Sequence, residues 1–180
     1  QLKQNHEQKV RAVRENRQNE AANQRRREVL AELGYPDTPG NILLLRLYDE
    51  LPADERVCVY SGTPISMEML FSGAVDIDHV LPRSRTLDDG FLNKVLCTRE
   101  MNRLKGNRAP ADVWSGNELR EIAERARRLF PKKAWRFDPD AMAKFAEKQD
   151  FIARHLNDTQ HMARLAKDYL GHLYGEEASR

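Results

Sequence analysis

The stretch "VDIDHVLPRSRTLDDGFLNKVLCTREMNRLKGN", residues 75–107, decides the fold of this chain. Apolar and polar residues alternate at its start, which predicts a short strand that Pro82 stops. The run "NKVLCT" predicts another strand. "TREMNRLKGN" then predicts a helix with Thr98 at its N-cap and Gly106 at its end. The local unit is therefore a strand, a long loop, a strand and a helix.

Most of the remaining chain predicts helices. Residues 3–33 are polar with little apolar surface, and Gly34 followed by Pro36 predicts the end of a long helix there. "NILLLRLYDE", residues 41–50, predicts a short amphipathic helix with Asn41 as its N-cap. The later pattern predicts a helix start at Pro110, a helix around 117–129, a shorter helix from Pro139 and a last helix over about 149–173.

One further segment has β-forming residues. "VCVYSGTPIS", residues 57–66, places them on both sides of a Ser-Gly-Thr-Pro turn, which predicts a small hairpin or a strand and loop. The expected fold class is therefore α+β and mostly helical, with short strands and surrounding helices. A chain of 180 residues buries a sizeable core and fits one domain with appended helices.

Charge is distributed unevenly along the chain. The totals of 30 Lys+Arg and 28 Asp+Glu nearly cancel, but residues 49–90 hold nine acids and three bases, whereas residues 99–136 hold eleven bases and five acids. An acidic centre beside a basic surface suits a cation site next to a polyanion such as nucleic acid. Solvated helix faces explain the same asymmetry equally well.

Composition also excludes several classes. No apolar run approaches the roughly 20 residues of a membrane span, and no signal-peptide pattern opens the chain. Two cysteines, Cys58 and Cys97, do not make a disulfide scaffold, which favours a reducing, cytosolic setting. Because the chain starts at Gln1 and runs directly into a charged segment, we expect it to be a piece of a longer protein.

The central unit brings several functional groups together. Alternate side chains of a strand share a face, so Asp76 and Asp78 point the same way, and His79 follows at the predicted strand end. Asn102 and Lys105 are three residues apart and share a face of the predicted helix. If the helix folds back over the strands, these side chains approach His79.

The chemistry of this set is coherent. Carboxylate and amide oxygens are hard ligands that suit Mg²⁺ or Mn²⁺. A histidine that titrates near neutral pH is suited to deprotonate a water for attack on a phosphodiester, and a lysine is suited to hold a phosphate. Each residue alone is common surface chemistry, so the combination and its order carry the prediction.

The order of these residues resembles the HNH, or ββα-metal, nuclease family. His79, Asn93 and Asn102 stand where that family has its histidine, central asparagine and helical ligand, separated by 14 and 9 positions. A closer resemblance is to the HNH domain of the type II CRISPR RNA-guided DNA endonucleases, with the compact II-C branch nearest. It is carried by "CVYSG", "DIDHVLPRSRTLDDGFLNKVL" and "NRLKGN".

This resemblance implies a role for each residue. Asp78 and Asn102 would be metal ligands, Asp76 would lie near the metal as a further ligand or behind one, and His79 would be the general base. Asn93 would hold the surroundings of the histidine by hydrogen bonding. Lys105 would contact phosphate.

The resemblance also implies an organisation and partners. It assigns residues 1–40 as a polar linker helix from a RuvC nuclease domain, residues 41–148 as the HNH domain with its core at about 57–108, and residues 149–180 as the returning linker helix. The partners would be a target DNA strand paired to guide RNA and the rest of the same bacterial polypeptide, including its RuvC and recognition lobes. With only two cysteines, no structural zinc is expected.

The expected function is Mg²⁺-dependent hydrolysis of the target DNA strand. One alternative is another HNH enzyme, such as a homing or nicking endonuclease or a toxin, which acts without a guide. A second alternative is a catalytically silent nucleic-acid-binding domain. The flanking segments argue against the first, and the intact triplet of Asp78, His79 and Asn102 argues against the second.

Overall fold

The computed structural model describes residues 6–150 and 162–167. The named α-helices are α1 (His6–Glu32), α2 (Pro39–Glu50), α3 (Met67–Phe71), α4 (Arg83–Thr86), α5 (Arg99–Lys105) and α6 (Gly116–Leu129). Short 3-10 turns lie at Phe91–Asn93, Pro110–Asp112 and Ala134–Phe137. Residues 141–150 and 162–167 also have helical backbone. The chain is mostly helical, as the sequence predicts.

Two strands form the only sheet in the described part of the chain. β1 (Val75–His79) pairs antiparallel with β2 (Lys94–Thr98), and the register places His79 opposite Lys94. The loop of residues 80–93 joins the strands and contains α4. The α+β class and the unit of strand, loop, strand and helix are thereby confirmed.

Helix α5 begins and ends where its sequence predicts. The Thr98 side chain accepts a hydrogen bond from the Met101 N–H at 3.4 Å, and Gly106 ends the helix with φ +56°, a conformation that glycine adopts without a Cβ penalty. α5 contacts both strands and lies over the face that carries Asp76 and Asp78.

The predicted N-cap of α2 is wrong. The helix begins at Pro39, and Thr38 is the cap, because its extended backbone lets its hydroxyl accept from the Asn41 N–H at 3.2 Å. Proline fits the first helical position since its φ is already near the helical value and no N–H is needed there. Asn41 lies inside the first turn, where its side chain donates to the Pro36 carbonyl at 2.8 Å.

Residues 57–66, predicted as a small hairpin or a strand and loop, form a turn with a single bridge between Val57 and Pro64. Pro64 has no N–H to extend a ladder, and Gly62, at φ +74°, closes a tight turn by donating to the Cys58 carbonyl at 2.8 Å. This compact turn still matters, because it carries Tyr60 into the core.

The terminal helices are described only in part. α1 follows the prediction for 3–33, although residues 3–5 lie outside the described residues. The helical backbone of 141–150 runs across the predicted start at 149, and most of the helix predicted to 173 lies outside the described residues.

The apolar core lies between the sheet, α2 and α6. β2 buries its three central residues, Val95, Leu96 and Cys97. Tyr60 stacks on Trp114 with ring centroids 4.8 Å apart, which joins the turn to the segment before α6. α6 contributes one apolar stripe at helical spacing, formed by Leu119, Ile122, Ala123, Ala126 and Leu129. This core fixes the strand ends from which the candidate site is built.

Candidate functional site

Asp78 is a buried carboxylate with two strong partners. Its side chain is only 5% exposed. The Tyr60 hydroxyl donates to Oδ2 at 2.5 Å, and the Lys105 ammonium donates to Oδ1 at 3.0 Å. Burial raises the pKa of Asp78, while Lys105 and the Tyr60 hydrogen bond oppose the rise. Burial also raises the pKa of Tyr60, which keeps its hydroxyl protonated and able to donate.

Lys105 is placed differently from its predicted role. Its side chain is 1% exposed, and besides Asp78 its ammonium donates to the His79 carbonyl at 2.7 Å. The predicted phosphate contact is therefore not what this structure shows: burial removes the ammonium from the surface, and the charge of Asp78 holds it there. Lys105 instead compensates one carboxylate and fixes the backbone of the histidine.

Asp76 lies on the same face of β1 as Asp78 and is linked to the following helix. Asn102 donates from Nδ2 to Asp76 Oδ2 at 3.1 Å, and Arg99 contacts Oδ1 at 3.4 Å. Asp76 thus positions the Asn102 amide.

His79 is paired with a residue that the sequence prediction missed. Its Nε2 lies 2.8 Å from Asp89 Oδ1, and the His79 side chain is 27% exposed. Lys94 lies 2.9 Å from the same carboxylate oxygen. Hydrogen bonds from Lys94 and His79 lower the pKa of Asp89 to about 2, so at neutral pH this carboxylate accepts and does not donate.

Asn93 is fully buried and ties the loop to the strand end. Its Nδ2 donates to the carbonyls of Leu81 and Asp88, each at 2.9 Å, and its Oδ1 accepts from the Leu81 N–H at 2.9 Å. The Val80 N–H also donates to the Asn93 carbonyl. Asn93 thus binds the backbone of the loop at Leu81 and Asp88, and its predicted role toward the histidine stays a prediction.

An open pocket of about 350 Å³ brings three of the predicted residues together. Asp78, His79 and Asn102 line it, with Arg83 and Asn107 among the polar residues around them. Asp76 reaches this group through Asn102. Lys105 and Asn93 are buried and do not line the pocket. They contact the residues around it: Lys105 binds Asp78 and the His79 carbonyl, and Asn93 binds the backbone of Leu81.

Residues that escaped the sequence prediction include Tyr60, Asp89 and Lys94, which contact the predicted site residues, and Arg83 and Asn107, which line the pocket. Tyr60 was visible as the only aromatic residue in the "CVYSG" segment, and the pair of acids at 88–89 was visible in the loop. Neither feature of the sequence indicated which residue the side chain would contact. The contact between Lys94 and Asp89 depends on the strand register, which brings Lys94 opposite His79.

The donor chemistry of the pocket fits a hard divalent cation. Asp78 supplies carboxylate oxygens, and Asn102 supplies an amide whose oxygen and nitrogen exchange places by rotation about χ2. The carboxylate of Asp76 lies behind this pair, in contact with Asn102. A carboxylate oxygen that accepts one hydrogen bond keeps a second lone pair, so the contacts of Asp78 leave it coordinating capacity. Within residues 6–150 and 162–167, no three His, Cys, Asp or Glu side chains form a group that could hold a metal; the set described here includes an amide.

The two cysteines present a different environment. Cys58 and Cys97 are both buried and free. Burial raises the pKa of the Cys97 thiol, which disfavours the thiolate that zinc requires.

In the described parts of the chain, no helix combines the length and apolar character of a membrane span.

Comparison with known proteins identifies the family. A model of the HNH endonuclease family matches residues 58–111. The chain is 34% identical over 123 residues to the CRISPR-associated endonuclease Cas9 1 of Streptococcus thermophilus, which covers 63% of this chain and 11% of that protein. It is 33% identical over 149 residues to Cas9 of Campylobacter jejuni, and this alignment covers 79% of this chain and 15% of that protein. This chain contains an HNH domain of the Cas9 type.

Solved structures agree with this assignment at the level of the fold. A Streptococcus thermophilus Cas9 in complex with an AGGA PAM has a TM-score of 0.55 and 22% identity, covering 98% of this chain and 19% of that one. The type II-C Cas9 from Actinomyces naeslundii has a TM-score of 0.55 and 20% identity, and the match covers 73% of this chain and 14% of that chain. The aligned parts of this chain span only 11% and 15% of the length of the two curated relatives above. The resemblance predicted from His79, Asn93 and Asn102 is confirmed.

Proposed function

We propose that this HNH domain is a Mg²⁺-dependent endonuclease domain that hydrolyses the DNA strand paired to a guide RNA. One observation carries the proposal: Asp78, His79 and Asn102 line a single open pocket inside the segment that matches the HNH family. A nucleic-acid-binding domain without catalytic activity has no need for a carboxylate, an imidazole and an amide in this arrangement.

The residues divide the work between holding an ion and moving a proton. Asp78 and Asn102 would hold the divalent cation, with Asp76 orienting the amide through its 3.1 Å contact. When bound, the ion supplies positive charge to a phosphate oxygen and to the leaving oxygen of the strand. Lys105 pairs with the buried Asp78 and opposes the rise of its pKa, since an unpaired carboxylate at this depth is costly.

His79 would accept the proton of the attacking water. Because Asp89 accepts at Nε2, the free lone pair of the neutral ring is on Nδ1, and this atom would receive the proton. Arg83 is exposed at the pocket edge, where a guanidinium suits a phosphate of the bound strand.

The names of the relatives support the proposed substrate. Both curated relatives above are named CRISPR-associated endonucleases, and in RNA-guided recognition base pairing reads the sequence while the nuclease domain acts on the backbone. Residues 99–136, with eleven bases and five acids, suit contact with a backbone without base reading. The proposal includes residues 1–40 and 149–180 as linkers to a RuvC domain of the same bacterial, cytoplasmic polypeptide.

The test compares substrates and one variant. The 180-residue chain, in excess, is incubated with Mg²⁺ and end-labelled DNA that is single-stranded, paired to DNA or paired to RNA. We expect nicking of the DNA strand of the RNA–DNA duplex, loss of nicking on chelation, and no nicking by His79→Ala. Equal nicking by His79→Ala would remove the assigned base. Equal or faster cutting of the DNA–DNA duplex would favour an HNH enzyme that needs no guide, and Mg²⁺-independent binding without cutting would favour a silent binding domain.

A further inference from the structure

The loop between the strands places one carboxylate oxygen between two cross-strand neighbours. Asp89 Oδ1 lies 2.8 Å from His79 Nε2 and 2.9 Å from Lys94 Nζ. His79 and Lys94 are directly opposite in the antiparallel register. Asp89 therefore bridges the last residue of β1 and the first residue of β2 at the edge of the pocket.

Several contacts hold Asp89 in this position. Leu87, at φ +55° in the left-handed region, turns the chain out of α4. Asp88 then closes a tight turn by accepting the Gly90 N–H at 2.9 Å, and its carbonyl accepts from Asn93. The residues on both sides of Asp89 are therefore held by contacts other than the one with His79.

Lys94 is held as well. Its carbonyl accepts from the ammonium of Lys133 at 2.6 Å, and the Lys133 side chain is fully buried and also paired with Glu50. The Lys94 side chain itself is 13% exposed. An anchored strand residue thus supplies the second partner of Asp89.

We propose that Asp89 is a positioning residue for the general base: it orients the His79 ring, keeps the proton on Nε2 and leaves Nδ1 free, while Lys94 fixes Asp89 in turn. This inference rests on the proposed function for its catalytic meaning, but its structural content stands on the contacts alone. An aspartate hydrogen-bonded to one ring nitrogen sets the tautomer of a catalytic histidine in the same way in serine proteases.

An ordinary surface ion pair is the competing explanation. Asp89 is 52% exposed, and exposed pairs contribute little to stability. A surface pair between Asp89 and Lys94 alone would leave the histidine ring free to rotate and to exchange its proton with water. The state of the His79 ring therefore separates the two explanations.

The experiment observes the ring nitrogens of His79 by NMR. The 180-residue chain is labelled with ¹⁵N-histidine, and spectra are recorded over a pH series that extends to mildly alkaline pH. The spectrum of His79→Ala identifies which of the five histidines is His79. We expect a protonated Nε2 with a visible, exchange-protected ring proton, and an unprotonated Nδ1.

Three variants and a matched control complete the design. Asp89→Ala should lose the protected ring proton, and Asp89→Asn, whose amide donates, should shift population to the Nδ1–H tautomer. Asp37→Asn makes the same charge change at an aspartate of similar exposure, which pairs with Arg27, and should leave the His79 signals unchanged. Lys94→Met should weaken the ring proton signal without removing it.

The outcomes distinguish this inference from the proposed function. A proton on Nδ1 in the unaltered chain, or unchanged His79 signals in Asp89→Ala, would overturn the positioning role. In the nicking assay, Asp89→Asn should be slower by about tenfold or more, since general-base catalysis supplies about 10²–10⁴-fold, while Asp37→Asn cuts normally. Lost ring protection with undiminished cutting would also overturn the role. If the unaltered chain does not cut, the proposed function fails, and the ring signals still decide the placement.

Discussion

Asn93→Ala tests whether one buried side chain holds the loop to the strand end. The substitution removes three hydrogen bonds of 2.9 Å: two to the backbone of Leu81 and one to the carbonyl of Asp88. Leu81 is fully buried, so its N–H and carbonyl would be left without water, whereas the Asp88 carbonyl lies in a partly exposed residue. At about 1 kcal/mol net for each bond, and more for a buried group left unsatisfied, the free energy of unfolding should fall by about 3–5 kcal/mol.

Urea denaturation measures this change. With an m-value of about 1–3 kcal/mol/M, a loss of about 3 kcal/mol lowers the midpoint by about 1–3 M. Asn41→Ala is the matched control, because Asn41 makes one side-chain bond, to Pro36 at the surface, and should cost less than about 1 kcal/mol. Equal midpoints for the two variants would refute the claim that Asn93 anchors the loop.

The remaining predictions concern the ion, the buried pair and the terminal helix. Asp78→Ala or Asn102→Ala should collapse cutting, with partial rescue by added Mg²⁺ or Mn²⁺, and elemental analysis of the unaltered chain should find less than one zinc per chain. Lys105→Met leaves the Asp78 carboxylate buried without its partner, so unfolding should become easier by about 3–5 kcal/mol by urea titration. Hydrogen exchange should be fast across most of α1, which has little buried surface, and slow across 75–105; equal protection would contradict the linker assignment.

Much of the fold was predictable because its signals are local. The alternation of Asp76 and Asp78, the cap at Thr98 and the stop at Gly106 each depend on a few neighbouring residues, and the structure agrees with all of them. The cap of α2 was also local but was misread, since Pro39 as the first helical residue moves the cap back to Thr38.

The partners within the site were not predictable in the same way. Tyr60 meets Asp78 across 18 positions and Lys105 meets it across 27, so these contacts depend on how the turn and α5 pack on the sheet. From the sequence alone, a lysine near a nuclease motif is expected at the surface, where its ammonium can contact a phosphate of the substrate. Only the packed structure reveals that Lys105 lies in the core, where a buried ammonium requires a carboxylate. The contact of Asp89 with His79 likewise depends on the turn at Leu87 and on the pairing of the strands.

His79 is therefore held at two points, its carbonyl and its ring, by two separate sets of charged residues. Lys105 fixes its carbonyl from the buried side, together with Asp78, and Asp89 fixes its ring from the loop side. The first set also carries a proposed metal ligand, so its disruption would affect the ion and the base together. The second touches no proposed ligand, and it extends through Lys94 to the buried Lys133. Substitutions along this second path should change the orientation of the base while leaving the ligand set intact, which makes the two halves of the proposed reaction separable by mutation.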